Sequence, residues 1–330
     1  MKRSPWRAML SDLRIQSSAV RVAVLFIDGV GIGRKDPAIN PLAHREHLLS
    51  CFQDAPSPPL PHGGLRVSVD TTFGVAGRPQ SASNQTAILT GDPAPALIGK
   101  HVLGYPNAPL RGLMAERSIV RRLISAGRTA TFANAYPAPY LEAMGVPHRD
   151  TTSPPEFTIP PEARRKVKPS AAKLAFTAGG VPLRTLDDAR AGDGLTPDIT
   201  GDAARAHGLP VPSRTPEEAA GVFWHVAARA DFTYFEHYQA DEAGHAQDLA
   251  AALAALDTFD AFTRAVVAAR PADARVLVCS DHGNVEDLST RGHTVHPVPV
   301  LYFGPPSTEV ESFSTVADVG RAVLRWLGVE

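Results

Sequence analysis

Cysteine is scarce in this chain: Cys51 and Cys279 are the only two in 330 residues, and Cys279 lies inside an apolar run. Two thiols make no disulfide scaffold, and their scarcity fits a reducing cytoplasm as the expected compartment. Long hydrophobic runs are also missing, and none approaches the ~20 residues of a bilayer span. The basic stretch MKRSPWRAMLSDLRIQSSAV has polar residues where a secretion signal needs an apolar one, so residues 1–20 read as an arm before the first strand. A formal net charge of −1 supplies no field to draw nucleic acid or an acidic membrane, and neither is expected as a partner. The sequence shows no internal repeat and no G-x-S-x-G elbow, which disfavours a Ser-His-Asp hydrolase.

Apolar residues make up 44% and charged residues 20%, as in ordinary globular proteins. The length suits one large α/β domain or two smaller ones, burying roughly three quarters of the unfolded surface. Proline is abundant, with 30 residues set mostly outside the apolar runs. Five of those runs read as buried parallel strands: RVAVLFI (21–27), TATFANA (129–135), FTYFEHY (232–238), ARVLVCS (274–280) and VPVLYFG (298–304). Helical patterns alternate with them over 110–126, 216–229, 249–269 and 315–327. The expected class is α/β, a mostly parallel central sheet flanked by helices. Residues 21–144 and 213–330 form the expected core. The segment 145–212, rich in proline, charge and turn residues, is expected to be a small inserted lid. Its basic cluster Arg164, Arg165, Lys166, Lys168 and Lys173 reads as a solvated face, the alternative being attraction of an anionic substrate.

The loop after the first strand, DGVGIG, fails as a dinucleotide fingerprint, because Arg34 stands where the last glycine of G-x-G-x-x-G belongs. What remains is an acid, Asp28, at the carboxyl end of a strand, where open α/β sheets place their ligands. The pattern recurs in DHGN after a later strand, with Asp281 and His282. QADEAGH places Asp241 and His245 one helical turn apart on the same face, and His293 precedes the last strand. Each has a bland reading as a cap or a surface histidine. Together they form a mixed oxygen and nitrogen donor set suited to Zn²⁺ or Mn²⁺, and hard carboxylates also admit Mg²⁺. Six donors exceed the need of one tetrahedral ion and point to two. RPQSASNQTAILTG then offers a nucleophile, since Ser81 or Ser83 would open a helix whose N-terminus favours an anion. The bland alternative is an N-cap. Among candidate phosphate contacts are Asn84, one turn after Ser81, and Lys100, His101 and Arg111 in the following loop.

Taken jointly, FIDGVGIG, SASNQTAILTG, DEAGH, SDHGN and GHTVHPVPVLYFG resemble the alkaline phosphatase superfamily, most like the branch of cofactor-independent phosphoglycerate mutase and phosphopentomutase. The resemblance picks Ser81 over Ser83 as nucleophile, bridging to a phosphoryl group. It implies one metal on Asp241, His245 and His293, and a second on Asp28, Asp281 and His282. It also implies attack by Ser81 on a small phosphorylated substrate through a phosphoserine. Only 160 residues separate Ser81 from Asp241, too few for the second domain that clamps substrate in the mutases. The expected activity is therefore phosphate monoester hydrolysis. Alternatives are a phosphomutase with a reduced cap, a phosphodiesterase, or a metal-binding protein without catalysis.

Overall fold

The computed structural model describes residues 20–330, so the expected arm over 1–20 lies, but for its last residue, outside the described residues. Eight strands are present among these: β1 (Arg21–Ile27), β2 (Leu65–Val69), β3 (Ala130–Phe132), β4 (Ala135–Tyr136), β5 (Arg184–Thr185), β6 (Phe232–His237), β7 (Ala274–Cys279) and β8 (Val298–Phe303). Six build one sheet in the order β2-β8-β7-β1-β6-β3, and β4 pairs with β5 separately. β1 sits centrally, parallel to both β6 and β7. Its side chains alternate between the two cores: Val22, Val24 and Phe26 pack on one face, Ala23, Leu25 and Ile27 on the other. A strand buried on both faces must be continuously apolar, as RVAVLFI is.

β8 runs antiparallel to β7 and to the edge strand β2. This reversal positions the site. Residues that follow β1, β6 and β7 emerge at one end of the sheet, and residues that precede β8 arrive at that same end. Asp28, Asp241, Asp281 and His293 are thereby gathered although their strands differ in direction. The segment TATFANA divides at Asn134, whose side chain bonds the backbone of Glu236, so β3 joins the main sheet and β4 leaves it.

The expected helix over 110–126 is two helices, Ala108–Arg117 and Ile119–Ser125, broken at Ser118, whose hydroxyl caps the second. The helix Ser81–Thr90 is buried along its length after Ser81, and ends at Gly91 in the left-handed region (φ 76°). It packs on Ala317–Trp326, where a Cβ on Gly320 would lie 2.2 Å from the Ile88 carbonyl oxygen. Within the segment 145–212, the helix Ala171–Ala178 buries Ala171, Ala172, Ala175 and Phe176 in the main core, while 157–168 borders the cavity described below.

Candidate active site

Asp28 leaves β1 through Gly29, which adopts φ 75° and lies so close to Asp241 that a Cβ there would stand 2.6 Å from its carboxylate oxygen. Only glycine meets both demands. The loop's N–H groups are already engaged: Val30 donates to Ser280 Oγ at 2.9 Å and Gly31 to Glu286 at 2.9 Å. This loop holds its neighbours rather than a dinucleotide.

The six donors fall into two groups, Asp28 with Asp281 and His282, and Asp241 with His245 and His293, the donor atoms of each within 4.8 Å of one another. In the first group His282 Nε2 lies 3.3 Å from Asp28 and 3.5 Å from Asp281. In the second, Asp241 faces His245 at 3.3 Å and His293 at 3.7 Å. The helix Gln239–Ala246 sets the Asp241–His245 spacing. The connection between β7 and β8 folds back on itself, with Thr294 N–H donating to Gly283 O, so His293 stacks on His282 with ring centroids 3.7 Å apart. Carbonyl groups fix both outer histidines: His245 Nδ1–H donates to Arg291 O at 2.6 Å and His293 Nδ1–H to Pro79 O at 3.0 Å. Each ring thereby turns its Nε2 toward Asp241, the orientation that metal-ligating imidazoles take.

The electrostatics call for a cation. Burial, then the charges of Asp281 and Asp241, push Asp28 well above the usual carboxylate range. Burial likewise raises Asp281. Burial also works against Asp241, but hydrogen bonding from His245, the charge of His282 and a bond from Asn284 outweigh it and leave Asp241 at about 2. His245, bonded to Asp241, rises to about 9, and burial lowers His293 to about 4. Asp28 Oδ1, Asp281 Oδ1 and His282 Nδ1 are buried without a hydrogen-bond partner. Buried carboxylate oxygens are seldom left so unless an ion or water completes them. Divalent cations fit this donor set.

Ser81 is the first residue of its helix, and its Oγ lies 2.9 Å from His282 Nε2. Ser83 is buried, accepting from Val102 N–H and donating to Gln80 O, a structural role. The candidate phosphate contacts fare differently. Asn84 is fully buried, and its amide donates both hydrogens, to Thr71 O and Asp281 O, leaving none for substrate. Lys100, His101 and Arg111 do not line the cavity that contains Asp28 and Ser81. Arg111 instead bonds Pro106 O. They are not brought to the site.

Several residues beyond the expected set build it. Gln85 donates to Asp28 at 3.2 Å and to Asp281 at 3.0 Å; its position one turn after Ser81 was the signal available. Asn284 donates to Asp241 at 2.7 Å. Glu286 accepts from Gly31 N–H, Asn284 N–H, Thr294 Oγ1 and His296, tying the loop after β1 to both ends of the β7–β8 connection. Lys173, expected on a solvated face, is instead buried, 3.2 Å from Glu236 and over the Tyr136 ring. Nothing in the spacing of Glu286 or Lys173 distinguishes them from surface charges.

The fold is alkaline phosphatase-like, the two donor groups are candidate metal sites, and residues 224–330 match the family model described as Metalloenzyme superfamily. Alkaline phosphatase from the Antarctic bacterium TAB5 superposes with a TM-score of 0.55 at 15% identity, covering 95% of this chain and 100% of that one. A protein of Pyrococcus horikoshii does so at 0.55 and 13%, covering 94% and 98%. Among curated proteins, 2,3-bisphosphoglycerate-independent phosphoglycerate mutase of Natronomonas pharaonis is 32% identical over 126 residues. That match takes in 35% of this chain and a quarter (25%) of the relative's length. No described helix is long and apolar enough to cross a membrane.

Proposed function

We propose that this protein is a two-metal phosphoryl-transfer enzyme that hydrolyses a phosphate monoester through a phosphoserine on Ser81. One observation carries the reading: the only hydroxyl contacting the donor groups among the described residues, Ser81 Oγ at 2.9 Å from His282, opens a helix and faces a cavity that it shares with Asp28. Asp28, Asp281 and His282 would hold one ion and Asp241, His245 and His293 the other. Bound there, divalent cations would lower the pKa of the serine hydroxyl and offset charge on the attacking and leaving oxygens.

The chain's own groups do the rest. Gln85 holds Asp28 and Asp281 in register, and Asn284 holds Asp241. The first N–H groups of the serine helix, which lack intrahelical partners, face an anion favourably. Ser81 Oγ loses its proton and forms a bond to phosphorus as the ester P–O bond breaks, and the departing alkoxide takes a proton. Water then attacks phosphorus, the Oγ–P bond breaks, and phosphate leaves as Ser81 regains its proton. Hydrolysis is favoured over transfer within one substrate because residues 157–168 only border the cavity, which stays open to water.

Brief incubation of metal-loaded protein with ³²P-labelled phosphate monoesters and acid quenching should leave label on the peptide containing Ser81. Ser81→Ala should lower turnover at least about 10³-fold while both ions stay bound. Label on Ser83 would overturn the assignment. Isomerised product without phosphate release would show a mutase, and turnover confined to diesters a phosphodiesterase. Unchanged turnover in Ser81→Ala would leave a metal protein without this chemistry.

A further inference from the structure

The cavity beside Ser81 is larger and more aromatic than a small sugar phosphate requires. Its volume is about 830 Å³, toward the upper end of the ~300–1,000 Å³ typical of small-molecule sites. Asp28, Ser81 and Gln85 line part of its wall, while elsewhere the rings of Tyr105, Tyr136, Tyr140, Phe157 and Tyr238 do so. The sequence has six tyrosines. Tyr234 and Tyr302 are buried in the core and Tyr136 is buried at the cavity, whereas the three exposed ones, Tyr105, Tyr140 and Tyr238, all line it. Exposed apolar surface gathered in one place marks a binding surface rather than chance. Tyr140 and Phe157 meet edge to face with centroids 5.0 Å apart, which makes a rigid aromatic corner.

The polar side of the lining points the same way. No arginine lines the cavity, so the planar fork that grips a carboxylate or a second phosphate is absent from its wall. Lys173 has its charge matched by Glu236, which also accepts from Tyr136. Lys166 and Lys168 are exposed, and Glu242 adds one opposite charge to the same lining. Little remains to recognise a second anion, and much remains to pack against a flat apolar group.

We propose that the substrate class is a phosphate monoester whose alcohol carries a planar ring, the ring packing against Tyr105, Tyr140 and Phe157 while the phosphate lies at Ser81. The proposal rests on the reading of Ser81 as the phosphoryl acceptor for the direction in which the ester lies. Two probes of nearly equal leaving ability, 2-phenylethyl phosphate and ethyl phosphate, separate ring recognition from intrinsic reactivity. Binding of each to full-length, Mn²⁺-loaded Ser81→Ala protein should be measured by calorimetry. The ring-bearing ester should bind on the order of 10- to 100-fold more tightly. Adding Tyr140→Ala or Phe157→Ala should shrink that ratio at least about threefold, and Tyr140→Phe should keep it, since the ring and not the hydroxyl is at issue. Equal affinities, or a ratio untouched by both alanine variants, would overturn the proposal. If the unmutated protein labels no serine with either ester, the catalytic reading fails, and the binding ratio still decides this one.

Discussion

Ser81 and Ser83 lie on one turn of the same helix, yet the backbone claims one and leaves the other to the site. Ser83 is held by Gln80 and Val102, whereas Ser81 meets His282. Position in the sequence could not separate them; their partners come from residues 19 and 201 positions away. The same holds for Glu286, whose partners lie in the loop after β1 and at both ends of the β7–β8 connection. Because it orients the segments that carry Asp28, Asp281 and His293 without joining either donor group, Glu286→Gln should weaken metal affinity about 10- to 100-fold. Titration of apoprotein with Mn²⁺ checks this, and unchanged affinity would refute it. Asp281→Asn, which removes a donor outright, should cost at least about 100-fold in turnover, measured as phosphate release under saturating metal.

At the scale of elements, the long strands of the sheet interior were the legible ones. β1, β6, β7 and β8 announce themselves as runs dominated by apolar residues. β2, LRVSV at the sheet edge, is mostly half-exposed and alternates with polar residues, so it carries no such signal. The direction of β8 is likewise set by its pairing, not by its composition. The helix Ala317–Trp326 illustrates how an element far from the chemistry supports it, since Gly320 allows it to lie against the backbone of the serine helix. Gly320→Ala should therefore destabilise the fold by about 1–3 kcal/mol and lower turnover by displacing Ser81, measured by urea unfolding and phosphate release. Asp318, in the first turn of the same helix, ties down the segment before it, accepting from Ser314 and Thr315 N–H. Burial opposes its charge, but those bonds and Arg321 prevail and hold it below the usual carboxylate range. A lowered carboxylate stabilises above its ordinary range and loses that contribution as pH falls through its shifted value. Asp318→Ala should cost about 1–2 kcal/mol at pH 7, through the lost bonds to a charged acceptor, and progressively less below about pH 4. Equal cost at both would show that the charge is immaterial.

For the molecule as a whole, the carboxylates of Asp28 and Asp281, both raised by burial, lie buried at one end of the sheet. Ions bound only by the folded state stabilise it by about 3–4 kcal/mol at 100 to 1,000 times the dissociation constant. At about 2–4 °C per kcal/mol for a chain of this size, chelation should lower the melting temperature on the order of 5–15 °C, reversibly on adding back Mn²⁺. An unchanged calorimetric transition after complete stripping would mean that the groups hold no ion.

The span 224–330 contains Asp241, His245, Asp281, His282 and His293, while Asp28 and Ser81 come from the opening quarter of the chain. One triad is thus complete within the later stretch, and the other is finished only when β1 slots between β6 and β7. Because β1 also spaces β6 from β7, a nascent or nicked molecule lacking it would hold neither donor group in register, and on the proposed reading turnover would require that both ends of the polypeptide have met.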